Sequence, residues 1–124
     1  NVGKKDSVLQ WHNHANAYLS GTYYVNIDPT MHSPISFKND RVNAPESTSA
    51  PAIVIPRDEK IKTDYNSPEL QVRVPESVIL IWKSHLVHGY QFPNQTDNRI
   101  TLSFNIMPKE CTDGEVFSFT ISSD

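Results

Sequence analysis

The 124-residue chain has one cysteine, Cys111, and only four glycines. A single thiol excludes an intrachain disulfide and every thiol-rich metal site, so any metal would have to be held by His, Asp or Glu. No apolar run approaches the roughly 20 residues needed to span a bilayer, and the N-terminus lacks the charge-then-apolar pattern of a signal peptide. The net charge of −3 and a pI near 5.9 leave no basic surplus, and Lys and Arg are scattered along the chain. Phosphate binding draws on clustered positive charge, so nucleic acid is not an expected partner, and neither is a membrane. A soluble, cytoplasmic protein is the expectation.

Helical periodicity is also scarce. Nine prolines, spread from Pro29 to Pro108, interrupt most windows long enough for a helix, and β-branched and aromatic residues dominate the apolar runs. The 37% hydrophobic content is modest but grouped, which argues for a folded chain. Its length fits one domain over residues 1–124 and suffices for a genuine core.

Strands are expected at 18–27 (YLSGTYYVNI), 34–37 (PISF), 52–55 (AIVI), 69–74 (ELQVRV), 77–82 (SVILIW), 86–91 (LVHGYQ), 99–106 (RITLSFNI) and 115–121 (EVFSFTI). Between them lie turn-rich pieces such as DPTMHSP, FPNQTDN and PKECTDG. Short strands punctuated in this way predict a sandwich, jelly roll or small barrel. The stretch 38–68, with Pro45, Pro51, Pro56 and Pro68, reads as a lid or a long surface loop.

Two histidines stand one residue apart in WHNHANAYLSGTYYV, at His12 and His14. Alternate side chains of a strand share a face, so this spacing sets two imidazoles side by side, as a metal ion requires. The simpler reading is a polar loop meeting water. A third ligand has two candidates, His85 and His88; three residues apart on one regular strand they would face opposite ways, so only one can join. His88 lies within an apolar strand pattern, where an unpartnered imidazole would lose its hydration, and it is the better candidate. His32, in a proline-flanked turn, is expected on the surface.

In RITLSFNI, alternation places Arg99, Thr101, Ser103 and Asn105 on one face and Ile100, Leu102, Phe104 and Ile106 on the other. The polar face would either meet water, as on an ordinary half-exposed strand, or line a cavity. If it lines a cavity, Arg99 with Thr101 two residues on would be a charge-assisted fork for a carboxylate. A small acid could then chelate a metal on His12, His14 and His88 with one end while Arg99 holds the other.

These residues resemble the 2-oxoglutarate and Fe(II)-dependent oxygenases, and among them a family of small 2-oxoglutarate-Fe(II) oxygenases of bacterial and phage type in the prolyl-hydroxylase-like superfamily. The resemblance rests on HNHANAYLSGTYYV, on PISFKNDR and on VPESVILIWKSHLVHGYQFPNQTDNRITLSFNI, which together span roughly residues 11–107. It implies an all-β double-stranded β-helix, a cupin-like jelly roll, with ferrous iron on His12, His14 and His88. Arg99, helped by Thr101, would bind the far carboxylate of the cosubstrate 2-oxoglutarate. Tyr24, Trp82 and Asn105 would line the same cavity. The implied reaction consumes dioxygen and 2-oxoglutarate, releases succinate and CO2, and oxidises a C–H bond of a small-molecule or peptidyl substrate, most often to a hydroxyl.

The sequence departs from that pattern in three places. His14 stands where the wider superfamily has Asp or Glu, which leaves the metal site one negative charge short. WKS replaces the usual Phe-Pro-Ser ahead of the distal histidine, and Ser77 replaces a Gly before the strand. In related enzymes a further segment packs on the outer sheet ahead of the first ligand, whereas here only eleven residues precede His12. Either a truncated gene product or a homodimer is therefore expected. Two rival readings keep the same scaffold: a cupin-type metal enzyme that uses no 2-oxoglutarate, and a non-catalytic binding module.

Overall fold

The computed structural model describes residues 1–39, 60–61 and 63–110, and the backbone of 111–112 and 118–120. Among the described residues ten strands run in order: β1 (Val2–Gly3), β2 (Leu9–His12), β3 (Leu19–Asn26), β4 (Ile35–Lys38), β5 (Glu69–Val72), β6 (Ile79–Lys83), β7 (His88–Tyr90), β8 (Arg99–Ile106), β9 (Glu110–Thr112) and β10 (Ser118–Thr120). The described residues contain no helix. Consequently none is long and apolar enough to cross a membrane.

The first eight strands form two four-stranded antiparallel sheets, ordered β1-β8-β3-β6 and β2-β7-β4-β5. Pairing is nested: β1 lies against β8, β2 against β7, β3 against β6 and β4 against β5. This is one long antiparallel ribbon rolled up on itself, the double-stranded β-helix or jelly roll. The pair β9 and β10 forms a separate two-stranded ribbon, with Phe119 opposite Cys111.

Most of the expected strands occur where alternation and β-branched content placed them, shortened at the ends. The sequence reading missed β1, β2 and β9, because two to four residues carry too little periodicity to separate from loop. Of the expected strand at 115–121 only Ser118–Thr120 is described, while the one at 52–55 and most of the lid candidate at 38–68 lie outside the described residues.

The two sheets face each other across a compact core of Tyr24, Ile27, Ile35, Val74, Trp82 and Tyr90, with Phe37, Val72, Leu80 and Leu86 packed against it. Side chains that fully bury this way each contribute about 1.5–3 kcal/mol. The core occupies only part of the space between the sheets. On the rest of the inner surface β3 and β8 present polar side chains, and Ser20, Thr22, Arg99 and Thr101 are all buried.

Two backbone positions set up the strands that matter for the site. Asn98, immediately before β8, has φ 66°, and Ser77, just before β6, has φ 65°. Asn is among the residues that tolerate this left-handed region. At Ser77 the backbone adopts the conformation that a glycine takes without steric cost.

Candidate metal and anion site

The strand pair β2·β7 brings His12 directly opposite His88, after a bulge between Leu9 and His12. The ring centroids of His12 and His88 are 4.4 Å apart. His14 lies beyond the end of β2 rather than within it, so strand alternation does not place it. Its backbone N–H donates to the Ser84 carbonyl at 3.0 Å, which ties the loop to the β6–β7 turn. The His14 ring then stands 5.2 Å from His12 and stacks on His88 at 5.3 Å. One ring nitrogen from each of the three lies within 4.8 Å of the others.

Hydrogen bonds fix two of the tautomers. Nδ1 of His12 contacts the Gln10 carbonyl at 2.9 Å, and Nδ1 of His88 contacts the Leu86 carbonyl at 2.8 Å. A carbonyl only accepts, so Nδ1 carries the proton in both rings and Nε2 keeps a free lone pair. Metal-binding histidines are commonly oriented by such a backbone acceptor. Burial, and then the neighbouring His12, push His14 below the ordinary imidazole range. His88 is lowered by its burial foremost and further by His12 and His14, against its bond to the Leu86 carbonyl. Both shifts favour the neutral imidazole, the form that ligates.

Arg99 opens β8 with its guanidinium 3.6 Å above the centre of the Tyr90 ring, a cation–π stack. It is only 7% exposed, yet its Nε and Nη1 have no hydrogen-bond partner. Gly3 allows this placement: a Cβ there would stand 3.0 Å from Arg99 Nε and 2.9 Å from Asn94 Nδ2. Burial holds Arg99 below the ordinary arginine value, opposed by Tyr90 and Tyr24. Tyr90 in turn shares a hydrogen bond of 3.1 Å with the Tyr24 hydroxyl. Burial raises both phenols, so each stays a neutral hydroxyl.

A cavity of about 370 Å³ joins the three imidazoles to Arg99, Thr101 and Trp82, and no Asp or Glu is among its described lining residues. The indole of Trp82 meets the His88 ring edge-on at 4.8 Å, and its Nε1 is buried without a partner. The chamber thus offers three imidazoles at one place and an unneutralised cation at another. Both features suit an anion that also chelates a metal.

Seven of the residues singled out in the sequence therefore have clear positions. His12, His14, His88, Arg99, Thr101 and Trp82 share the cavity. His85 is exposed in the turn between β6 and β7 and takes no part in the cluster.

Three expectations need correction. Tyr24 does not line the cavity; it is 1% exposed in the core and reaches the site only through the Tyr90 hydroxyl. Asn105 keeps the parity of Arg99 but lies on an exposed stretch of β8, where it accepts from the Ser20 hydroxyl at 2.9 Å. His32 is buried rather than on the surface. Its Nδ1 accepts the Asp28 N–H at 3.0 Å, and its Nε2 faces the Asp97 carbonyl at 3.1 Å. It is a loop pin that ties its own turn to the distant loop at Thr96 and Asp97.

Two residues escaped the sequence reading. Tyr90 stands two positions after His88 on β7 and so shares its face, a signal that alternation did contain. Asn94, 1% exposed, accepts the Ser33 N–H and donates to the Lys4 carbonyl and the Ser7 hydroxyl, locking the loop that precedes Arg99 onto the loop between β1 and β2.

Fold and cavity together define an all-β jelly roll whose two sheets enclose a triad of histidines able to hold a metal. The family model described as "Putative 2OG-Fe(II) oxygenase" matches residues 1–105, and the chain belongs to that family. No curated protein matches the chain.

Proposed function

We propose that the protein is a 2-oxoglutarate- and Fe(II)-dependent dioxygenase that hydroxylates its substrate with release of succinate and CO2. The observation that carries this reading is Arg99, a buried cation with two unpartnered N–H groups, in one cavity with three imidazoles and no acid among its described lining residues. A buried charge without a partner is costly, so the site is built for a ligand that supplies the counter-charge.

His12, His14 and His88 would hold Fe(II) through ring nitrogens, which for His12 and His88 are the Nε2 atoms left free by their carbonyl bonds. The bound ion supplies open coordination positions for a keto acid and for dioxygen. Arg99 takes the far carboxylate of 2-oxoglutarate as a planar two-pronged donor, with the Thr101 hydroxyl beside it. Tyr90 keeps the guanidinium flat against its ring, and Tyr24 keeps Tyr90 in place through the shared hydrogen bond. Ile35 and Trp82 supply apolar wall that limits water in the chamber. With His14 as the third ligand the protein contributes no negative charge to the metal, so the anionic cosubstrate carries more of the neutralisation than it would opposite a carboxylate ligand.

Aerobic incubation with Fe(II) and 2-oxoglutarate tests this directly. Succinate should form slowly even without a prime substrate, stop when iron is chelated, and fall to background in Arg99→Ala. Absence of both succinate formation and oxygen consumption with iron demonstrably bound would overturn the proposal in favour of a cupin-type enzyme or a binding module, neither of which needs Arg99.

A further inference from the structure

Asn94 is not among the described lining residues of the cavity, yet it is buried and every polar group it has is engaged. Its backbone carbonyl accepts the Asp6 N–H at 2.8 Å, and its N–H donates to the Ser7 carbonyl at 3.3 Å. Its side chain accepts the Ser33 N–H at 3.0 Å and donates to the Lys4 carbonyl at 3.2 Å and the Ser7 hydroxyl at 3.1 Å. A backbone N–H only donates and a carbonyl only accepts, so these partners fix which way the amide points. Its nitrogen lies over Gly3, which stands opposite Arg99 in the β1·β8 pair. A Cβ on Gly3 would lie 2.9 Å from Asn94 Nδ2, 3.0 Å from Arg99 Nε and 3.3 Å from Arg99 Cβ. The amide and the arginine side chain therefore share one space above Gly3, with no room in it for a methyl group. The two neighbours differ in freedom: Asn94 is held by all its polar atoms, whereas Arg99 Nε and Nη1 have no partner. Whatever crowds that space displaces the guanidinium and not the amide.

We infer that Asn94 is a positioning residue for the cosubstrate anion: acting across Gly3, its immobile amide sets where the Arg99 guanidinium lies, and with it the affinity for the far carboxylate of 2-oxoglutarate. The inference rests on the proposed role of Arg99 and extends it from the group that meets the anion to the group that keeps that cation in place. A planar fork grips a carboxylate only from the right position, and small misplacements are costly. The chemistry of the amide suits the task. Toward Gly3 and Arg99 it presents a donor and no acceptor, so it confines the guanidinium without satisfying it and leaves the Arg99 N–H groups to the ligand.

Calorimetric titration of the anaerobic Fe(II) protein with 2-oxoglutarate, and with 2-oxopentanoate, the same keto acid without its far carboxylate, tests the inference. Wild type should prefer 2-oxoglutarate. Asn94→Ala and Gly3→Ala should each weaken 2-oxoglutarate about tenfold or more. Both should leave 2-oxopentanoate and iron within about twofold, because neither ligand depends on Arg99. In an Arg99→Ala background the same two substitutions should change 2-oxoglutarate affinity by no more than about twofold, since they act through the side chain already removed. General loosening of the fold would instead weaken both keto acids alike and persist without Arg99. Gly3→Ala keeps every bond of Asn94, so it carries the test if Asn94→Ala fails to fold. Undiminished 2-oxoglutarate affinity in folded Gly3→Ala, or equal losses for the two keto acids, would overturn the inference. A wild type indifferent to the far carboxylate would overturn the cosubstrate reading itself, and this inference with it.

Discussion

The two faces of β8 invert the usual relation between polarity and solvent. Arg99 and Thr101 point inward and are 7% and 2% exposed, whereas Leu102, between Thr101 and Ser103, points outward at 60%. An ordinary half-buried strand hides its apolar residues and wets its polar ones. Here the inward face is polar where Arg99 and Thr101 border the chamber shared with the three imidazoles, and the residue turned to solvent is the apolar one. The same alternation thus gives the two faces of one strand opposite chemistry, polar toward the chamber and apolar away from it.

Substitution separates the two faces most strongly at Arg99. Arg99→Met should weaken 2-oxoglutarate binding about 100-fold, of the order of 3 kcal/mol, since it removes one partner of a buried charged pair. The apo protein should nevertheless melt at the same temperature or higher, because the variant no longer buries a cation without a counter-charge. Leu102→Ala should leave 2-oxoglutarate affinity within about twofold, having no side chain in the chamber. Calorimetric titration of the three proteins, with melting curves alongside, measures both halves. Equal losses of affinity in the two variants would erase the distinction between faces.

A smaller and graded effect should come from pH. Burial and mutual proximity lower His14 and His88 below the ordinary 6.5, so both are neutral ligands at and above neutrality. Metal affinity should therefore be level from pH 7 upward and fall as the pH drops below the depressed values, by about tenfold per unit for each imidazole that must lose a proton. The sign for stability is the same. The fold favours the neutral rings, so their contribution is complete above 6.5, the unfolded value, and is lost as pH falls toward the folded ones. Affinity that rises on acidification would contradict the assignment of these rings as ligands. Metal titrations between pH 5 and 8, the range in which imidazoles change charge, provide the check.

Much of the site was legible because its signals are local. Paired histidines, a distal histidine in an apolar strand, and an arginine heading a polar-apolar alternation all survive in one chain read in order. What alternation could not decide was the side of the sheet on which the polar residues of β8 lie, since that depends on the pairing of β8 with β3 and on the second sheet. It also gave the wrong reason for His14, which reaches the cluster from a loop held by the Ser84 carbonyl and not from a strand. His32 was misplaced for a related cause: Asp97, across the loop that leads to β8, lies 65 positions away. Tyr24 and Asn105 share the correct parity with true lining residues but sit too deep and too far toward the strand end, distinctions of depth that a period of two does not carry.

The central claim is that the three imidazoles and Arg99 form one binding unit. Anaerobic titration with Fe(II) and then 2-oxoglutarate, followed by visible absorption, tests that claim most directly. The account predicts a charge-transfer band that requires both components, saturates at one equivalent of each, and is weakened in His14→Ala. Iron that binds without any band on addition of 2-oxoglutarate, or a band indifferent to His14, would contradict it.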